Sequence, residues 1–202
     1  MKKFIALALA LCMTSIMSVC SFAAEVNSDG GSGSTPVYLS STEDGTLNGE
    51  PSATAMSVTV PTALPMAMSQ TGDVTTADNC QIINNSYGAV RVKSVTITTA
   101  NGWRLTDFGD KSTLASEKVD SNKLGFALSI GGGSQVMTDT SDESSQMLIS
   151  APIAGCYMSG IGNTSGNAVS VDYSAIVTPL SAAVTNANIA NVVFVIEWDT
   201  AA

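Results

Sequence analysis

The residues that could do chemistry in this chain are few, and their types exclude several classes of active site. The sequence contains no histidine, so it cannot form a Ser-His triad, a Cys-His pair or a histidine-bearing zinc site. Serines and carboxylates are plentiful, yet none follows a spacing that is diagnostic of catalysis. Paired carboxylates of the glycosidase type stay open, because the fold rather than the spacing brings them together. We therefore expect a protein that is not an enzyme and that uses no cofactor.

Two acidic loops carry the hard oxygen ligands that calcium prefers. Neither follows the spaced Asp/Asn-Gly-Glu pattern of a dedicated calcium loop. We therefore interpret both loops as solvated turns and predict no metal site. The first loop contributes Glu43, Asp44, Asn48 and Glu50, and the second contributes Asp139, Asp142 and Glu143.

Cys80 and Cys156 are the only cysteines beyond the first 23 residues. An even pair in an exported chain permits one disulfide. Closing a loop of roughly 75 residues, it would stabilise the fold by about 4 kcal/mol on the loop-entropy model. The alternative is two buried thiols, since Cys80 shares an apolar strand face with Ile82. We predict the disulfide.

The first 23 residues have the pattern of a secretory signal peptide. Lys2 and Lys3 precede an apolar run that extends to Val19, and Ala23 provides a small residue before the cut. The run is short for a bilayer span of about 20 residues, so we predict cleavage rather than a retained anchor. The mature protein is then secreted or surface-associated, and no membrane span is expected after cleavage.

Cleavage makes the chain more acidic. It removes two of the eight basic residues and none of the 17 acidic residues, which takes the formal charge from −9 to −11. Such a surface repels nucleic acid and anionic lipid. We expect neither as a partner, and we interpret the dispersed charge as a source of solubility.

The elements that must position these residues are predicted to be strands. Apolar residues alternate within short segments rich in Val and Thr, and clusters of turn formers separate the segments. Roughly nine to eleven such strands are typical of a sandwich or barrel. We predict an all-β fold, one antiparallel β-sandwich (Greek-key or jelly-roll-like) over residues 36–202. A flexible Gly/Ser-rich segment over residues 24–35 precedes it.

Local patterns add three predictions. The alternation slips by one between Val92 and Val95, which indicates a β-bulge. Residues 112–118 are predicted to hold a helical turn. The alternation also predicts a core that includes Val58, Ile82, Val92, Ile97, Trp103, Phe126, Leu128, Val171, Phe194 and Ile196.

Three stretches carry a resemblance to a known family: "NNSYGAVRVKSVTITTANGWRLTDF", "KLGFALSI" and "ANVVFVIEWDTAA". Over roughly residues 56–202 the chain resembles secreted surface β-sandwich proteins of Firmicutes and is similar to the WxL-type cell-wall domain. Trp103-Arg104-Leu105 matches the first Trp-x-Leu motif, whereas the second position reads Trp198-Asp199-Thr200, without the leucine. The resemblance implies a non-enzymatic protein of a Gram-positive envelope, held by the wall non-covalently through Trp103, Leu105 and Trp198. The alternative is that both tryptophans are core aromatics.

Three roles follow from these patterns. The first is a structural protein of the cell surface or cell wall, with the wall or other surface proteins as partners. The second is a self-associating fibre or pilus-like subunit, whose strand "TPVYLSS" inserts Val37 and Leu39 into a neighbour's sheet edge; residues 36–41 could instead pair with their own domain. The third is a glycan-binding module in which Tyr38, Tyr87 or Tyr157 stacks on sugar rings.

Overall fold

The computed structural model describes residues 55–163 and 165–200. The predicted signal peptide, the Gly/Ser-rich segment, the first acidic loop, Tyr38 and the strand with Val37 and Leu39 lie outside the described residues. The described residues belong to one compact unit, Thr54–Ala202.

This part of the chain forms twelve strands and one short helix, because short alternating segments are separated by Gly, Asn and Asp turns. Strand β5 and strand β11 are the longest, with ten residues each. The strands are β1 (Val58–Thr59), β2 (Met66–Met68), β3 (Val74–Thr76), β4 (Gln81–Asn84), β5 (Val90–Thr99), β6 (Arg104–Leu105), β7 (Lys123–Ile130), β8 (Val136–Met137), β9 (Ser145–Ile149), β10 (Tyr157–Met158), β11 (Ala168–Val177) and β12 (Ala190–Trp198), and the helix is α1 (Ser112–Ala115).

The strands form three sheets. The largest has the order β1-β4-β11-β7-β6, with β8 also paired to β7. The second has the order β10-β5-β12, with β9 also paired to β5, and β2 and β3 form a separate ribbon. Every pair is antiparallel except β6 with β7. The predicted all-β, sandwich-like fold of antiparallel sheets packed on each other is confirmed.

The core lies between the two larger sheets and consists mainly of aliphatic side chains of β5, β7 and β11. Six predicted core residues are buried: Ile82, Val92, Ile97, Phe126, Leu128 and Val171. The other four pack against the core but are only partly buried: Val58, Trp103, Phe194 and Ile196. These four lie on peripheral strands or turns, so solvent reaches one side of each.

The predicted bulge is present in β5. Val92 pairs with Ile196 of β12 and Ser94 pairs with Val195, so Lys93 is the extra residue without a partner on β12. The insertion lets Val92 and Val95 face the core together although three positions separate them, and both are fully buried. The predicted helical turn is present as α1, which is shorter than predicted and buries Leu114.

Candidate interaction face

The second acidic loop is held by its own hydrogen bonds. The Asp139 carboxylate accepts the Ser141 N–H at 2.8 Å, and the Asp142 carboxylate accepts the N–H and hydroxyl of Ser144, both at 2.7 Å. Hydrogen bonds from the side chain and backbone of these serines hold the pKa values of both aspartates below their usual range. Within residues 55–163 and 165–200, no three His, Cys, Asp or Glu side chains form a metal-binding group. The loop has the geometry of a capped turn.

A buried glutamine organises the same loop. Gln146 of β9 donates from Nε2 to the Asp139 and Asp142 carbonyl oxygens, both at 2.7 Å. Its Oε1 accepts the Asp139 N–H at 2.9 Å. The loop is therefore fixed to the strand that follows it. No local pattern in the sequence distinguishes Gln146 from an exposed strand residue.

Both predicted disulfide partners are free cysteines in the structure. Cys156 is buried and Cys80 is half-buried, and both belong to the apolar core. Burial raises the pKa of the Cys156 thiol. The Cys80–Cys156 bridge stays a prediction that thiol titration of the secreted protein would check.

The residues of the WxL-like motif do not form one surface. Trp103 lies in the turn that follows Thr99, the last residue of β5, whereas Trp198 pairs with Val90, its first residue. A ten-residue strand separates these ends by about 30 Å. Both tryptophans pack against the core, and Leu105 is 1% exposed. In this fold Trp103, Leu105 and Trp198 act as packing residues at opposite ends of the sandwich.

Part of the solvent side of the β10-β5-β12 sheet forms an uncharged surface. Thr96 of β5 pairs with Met147 of β9 on one side and with Val193 of β12 on the other, which sets three side chains in a row. Met147, Val193 and Val195 are 61%, 52% and 42% exposed. We call this surface the outer face; it consists of Ser94, Thr96, Thr98, Met147, Val193 and Val195.

A charged cluster closes one end of the outer face. Arg91 donates from Nε to Glu197 at 2.8 Å and lies 3.3 Å from Asp199, and Lys93 lies 3.1 Å from the second Glu197 oxygen. The Arg91 hydrogen bond is the main cause of the lowered pKa of Glu197. These contacts join β5 to β12 at the Trp198 end and leave the rest of the outer face without charge.

Strand β12 is the long edge of this sheet. In the described part of the chain it pairs with β5 alone. Its inward side chains Val192, Phe194 and Ile196 pack against the core but are only partly buried. Their cross-strand partners, listed in the same order, are fully buried: Ile97, Val95 and Val92. Among residues 55–163 and 165–200, the sandwich is therefore open along β12, and its apolar layer is incomplete there.

On the edge of β12 that no described strand pairs with, backbone N–H and C=O groups are directed outward and could bond to another strand. The Ala100 N–H donates to the Ile189 oxygen at 2.9 Å. Bonded and non-bonded pairs alternate along an antiparallel ladder. Val193 and the other odd-numbered residues before the bulge therefore bond to β5, whereas Val192 and Phe194 direct their N–H and C=O groups outward. Ala190–Ile196 contains no proline and no charged residue, the devices that usually block an edge.

Two of the predicted stacking tyrosines lie on the surface. Tyr87, in the turn between β4 and β5, is 82% exposed, and Tyr157 of β10 is 47% exposed. Tyr157 pairs with Arg91, so it borders the charged cluster.

A buried asparagine, which no local sequence pattern identifies, supports the end of the molecule where β5 begins. Asn84 is fully buried, and its Nδ2 donates to the carbonyl oxygens of Gly88 at 2.9 Å and Ser159 at 2.8 Å. Its Oδ1 accepts the Ser86 N–H at 2.9 Å. One side chain thus joins β4 of the larger sheet to the loop that follows β10.

Comparison of the chain with protein-family models, with curated proteins and with solved structures returned no match. Among the described residues, no helix has the length and apolar character to cross a membrane.

Proposed function

We propose that this chain is a non-enzymatic structural protein, exported to the surface or wall of a Gram-positive bacterium and acting through protein–protein contacts. The signal-peptide pattern at the N-terminus and the Firmicutes resemblance support export to that envelope. The two aspartates of the described loop accept turn hydrogen bonds, which fits a role in contact better than a role in chemistry.

The open edge of β12 carries this proposal. A long, uncharged edge strand beside exposed valines pairs readily with further strands. Soluble proteins usually shorten, charge or cover such an edge, and β12 has nine residues with its only charged side chain at Glu197. In a protein that assembles with surface partners, such an edge can bind a strand of the partner.

Cell fractionation tests the proposal. The full chain, expressed in a Gram-positive host with an epitope inserted in the exposed segment around Val184, is expected in the wall or surface fraction. N-terminal sequencing is expected to find a start directly after residue 23. An unprocessed chain in the cytoplasm would overturn the proposal.

A fibre subunit is a more specific form of the same role. Donation of residues 36–41, with Val37 and Leu39, to a neighbouring copy needs an acceptor edge, and β12 is the longest candidate among the described strands. Negative-stain microscopy of the chain from residue 24 is expected to show fibres if donation occurs. Deleting residues 24–41 is then expected to give monomers only.

A glycan-binding module is a second candidate function, favoured by the exposure of Tyr87 and Tyr157. Aromatic rings stack on sugar faces, and Arg91 next to Tyr157 offers hydrogen-bond donors. A glycan array probed with the secreted protein is expected to give signals that free glycan competes away. Loss of those signals in both Tyr87→Ala and Tyr157→Ala would favour this function over the structural role.

A further inference from the structure

We propose that β12 pairs with β12 of a second copy of this chain, antiparallel and about a two-fold axis through Val193. The occupant of the open edge is then the same strand from another molecule. This inference adds a specific contact to the proposed structural role. Only the biological purpose of the contact rests on that role. The pairing itself is a property of the described residues.

The charge distribution of β12 favours a second copy. Ala190–Ile196 is uncharged, and Glu197 and Asp199 lie beyond its end, next to Arg91 and Lys93. An antiparallel pair centred on Val193 uses only the uncharged residues, so no like charges face each other. A pair centred on Glu197 would instead set the two Glu197 carboxylates opposite each other, which disfavours that register.

The incomplete core at this edge favours the same arrangement. A two-fold axis perpendicular to the sheet keeps the inner sides of both strands on the same side. In the Val193-centred register, Val192 faces Phe194 of the second copy, and Ala190 faces Ile196. These partly buried side chains would then cover each other, as β5 already covers them from the opposite side.

Main-chain geometry fits this register as well. Val192 and Phe194 direct their N–H and C=O groups away from β5, so they exchange hydrogen bonds across the new interface. Val193 bonds to β5, which makes Val193 and its symmetry mate a non-hydrogen-bonded pair. Such pairs have Cα atoms about 4.5 Å apart, within the range that a disulfide can bridge.

Cysteine crosslinking tests the axis position. The chain from residue 24 with Val193→Cys is expected to form a covalent dimer under mild oxidation. The matched variant Val195→Cys lies on the same strand and face. Its cysteine would be about 13 Å from its symmetry mate, so on the order of tenfold less dimer is expected. The wild-type chain controls for Cys80 and Cys156, which are free in the structure.

A mixture of two cysteine variants distinguishes the proposed register from crosslinking by random collision. Asn191→Cys and Val195→Cys lie opposite each other across the proposed interface, so a mixture of the two variants is expected to crosslink as a heterodimer. Neither variant is expected to crosslink efficiently alone. Equal crosslinking of Val193→Cys, Val195→Cys and the mixture would overturn the proposed register.

Charge substitution tests the unmodified interface by sedimentation. Val193→Lys sets two ammonium groups opposite each other and is expected to weaken dimerisation by at least about tenfold. Met147→Lys, on the same outer face but on β9, is expected to leave it unchanged. A wild-type monomer at high concentration would overturn the inference. Association that survives Val193→Lys would also overturn it. Loss of association on deletion of residues 24–41 would overturn it too, because it would identify the N-terminal strand as the occupant of the edge. Fractionation reports separately on the proposed surface role.

Discussion

Strands β7 and β12 have similar aliphatic and aromatic compositions but lie in opposite environments. Six of the eight residues of β7 are buried, whereas none of the nine residues of β12 is buried. β7 pairs with β11 on one edge and with β6 and β8 on the other. β12 has β5 on one edge only in the part of the chain that the structure describes. Burial is thus decided by neighbours that the strand's own residues do not specify.

Coverage of the outer side of β7 completes the contrast. A Cβ atom at Gly125 would lie 2.7 Å from both the Asp107 carbonyl oxygen and Ile176 Cγ1. The segment after β6 therefore passes so close to β7 that only glycine fits there. No described segment covers the outer face beside β12 in this way, and Val193 is 52% exposed. Strand β7 is therefore covered on both of its faces, whereas the outer face is exposed to solvent.

Truncating one residue in each region should show the largest difference. Leu128→Ala removes a fully buried side chain from β7 and is expected to lower the free energy of unfolding by about 2–5 kcal/mol. Val193→Ala, on exposed β12, is expected to change it by less than about 0.5 kcal/mol in the monomer. Urea unfolding at low protein concentration measures both. Equal losses would contradict the contrast between a covered and an open region.

Asn84→Ala tests a polar link within the covered region. It leaves the carbonyl oxygens of Gly88 and Ser159 without their donor in a buried setting, so a loss of about 1–3 kcal/mol is expected. The neighbouring Asn85→Ala removes one exposed hydrogen bond to Thr59 and is expected to cost less than about 0.5 kcal/mol. If both variants unfold at the same urea concentration, Asn84 does not hold the two sheets together as described.

Sequence periodicity predicts where the strands of this fold lie better than it predicts which strands pair. The period-two alternation identified β5, β7 and β11, and the phase slip between Val92 and Val95 located the bulge, because both signals are local. The same alternation predicts Phe194 and Ile196 as core residues, but they are only partly buried, because the strand pairing that sets an edge is non-local.

The candidate interaction face was less accessible from the sequence. Val193 and Val195 alternate with the predicted core positions, so the pattern predicts that they face away from the core. It does not predict that β12 is an edge strand. Asn84 and Gln146 resemble ordinary turn and strand residues, because their roles depend on carbonyl oxygens that other segments supply. Trp103 and Trp198 attract attention as a motif, yet the fold uses them as packing residues at two ends of β5.

The smallest expected effect concerns how β12 is held at its charged end. Hydrogen bonds from Arg91 and Lys93 lower the pKa of Glu197 from 4.5. A carboxylate with a lowered folded-state pKa stabilises the fold fully above its unfolded-state pKa, and this contribution is lost as the pH falls through the folded-state value. Glu197→Gln is therefore expected to be slightly less stable than wild type at pH 7 and to converge with it below pH 4.5.

The thermal midpoints of wild type and Glu197→Gln, compared between pH 7 and pH 3 at low salt, measure this convergence. Glu143→Gln is the control, because the ion pair of Glu143 with Arg104 is longer, 3.7 Å, and its side chain is 60% exposed; its offset from wild type is expected to be small. If the Glu197→Gln offset also stays constant with pH, the Arg91–Glu197 contact does not contribute to holding β12 on the sheet. The edge strand would then depend on its backbone bonds and its half-buried side chains alone.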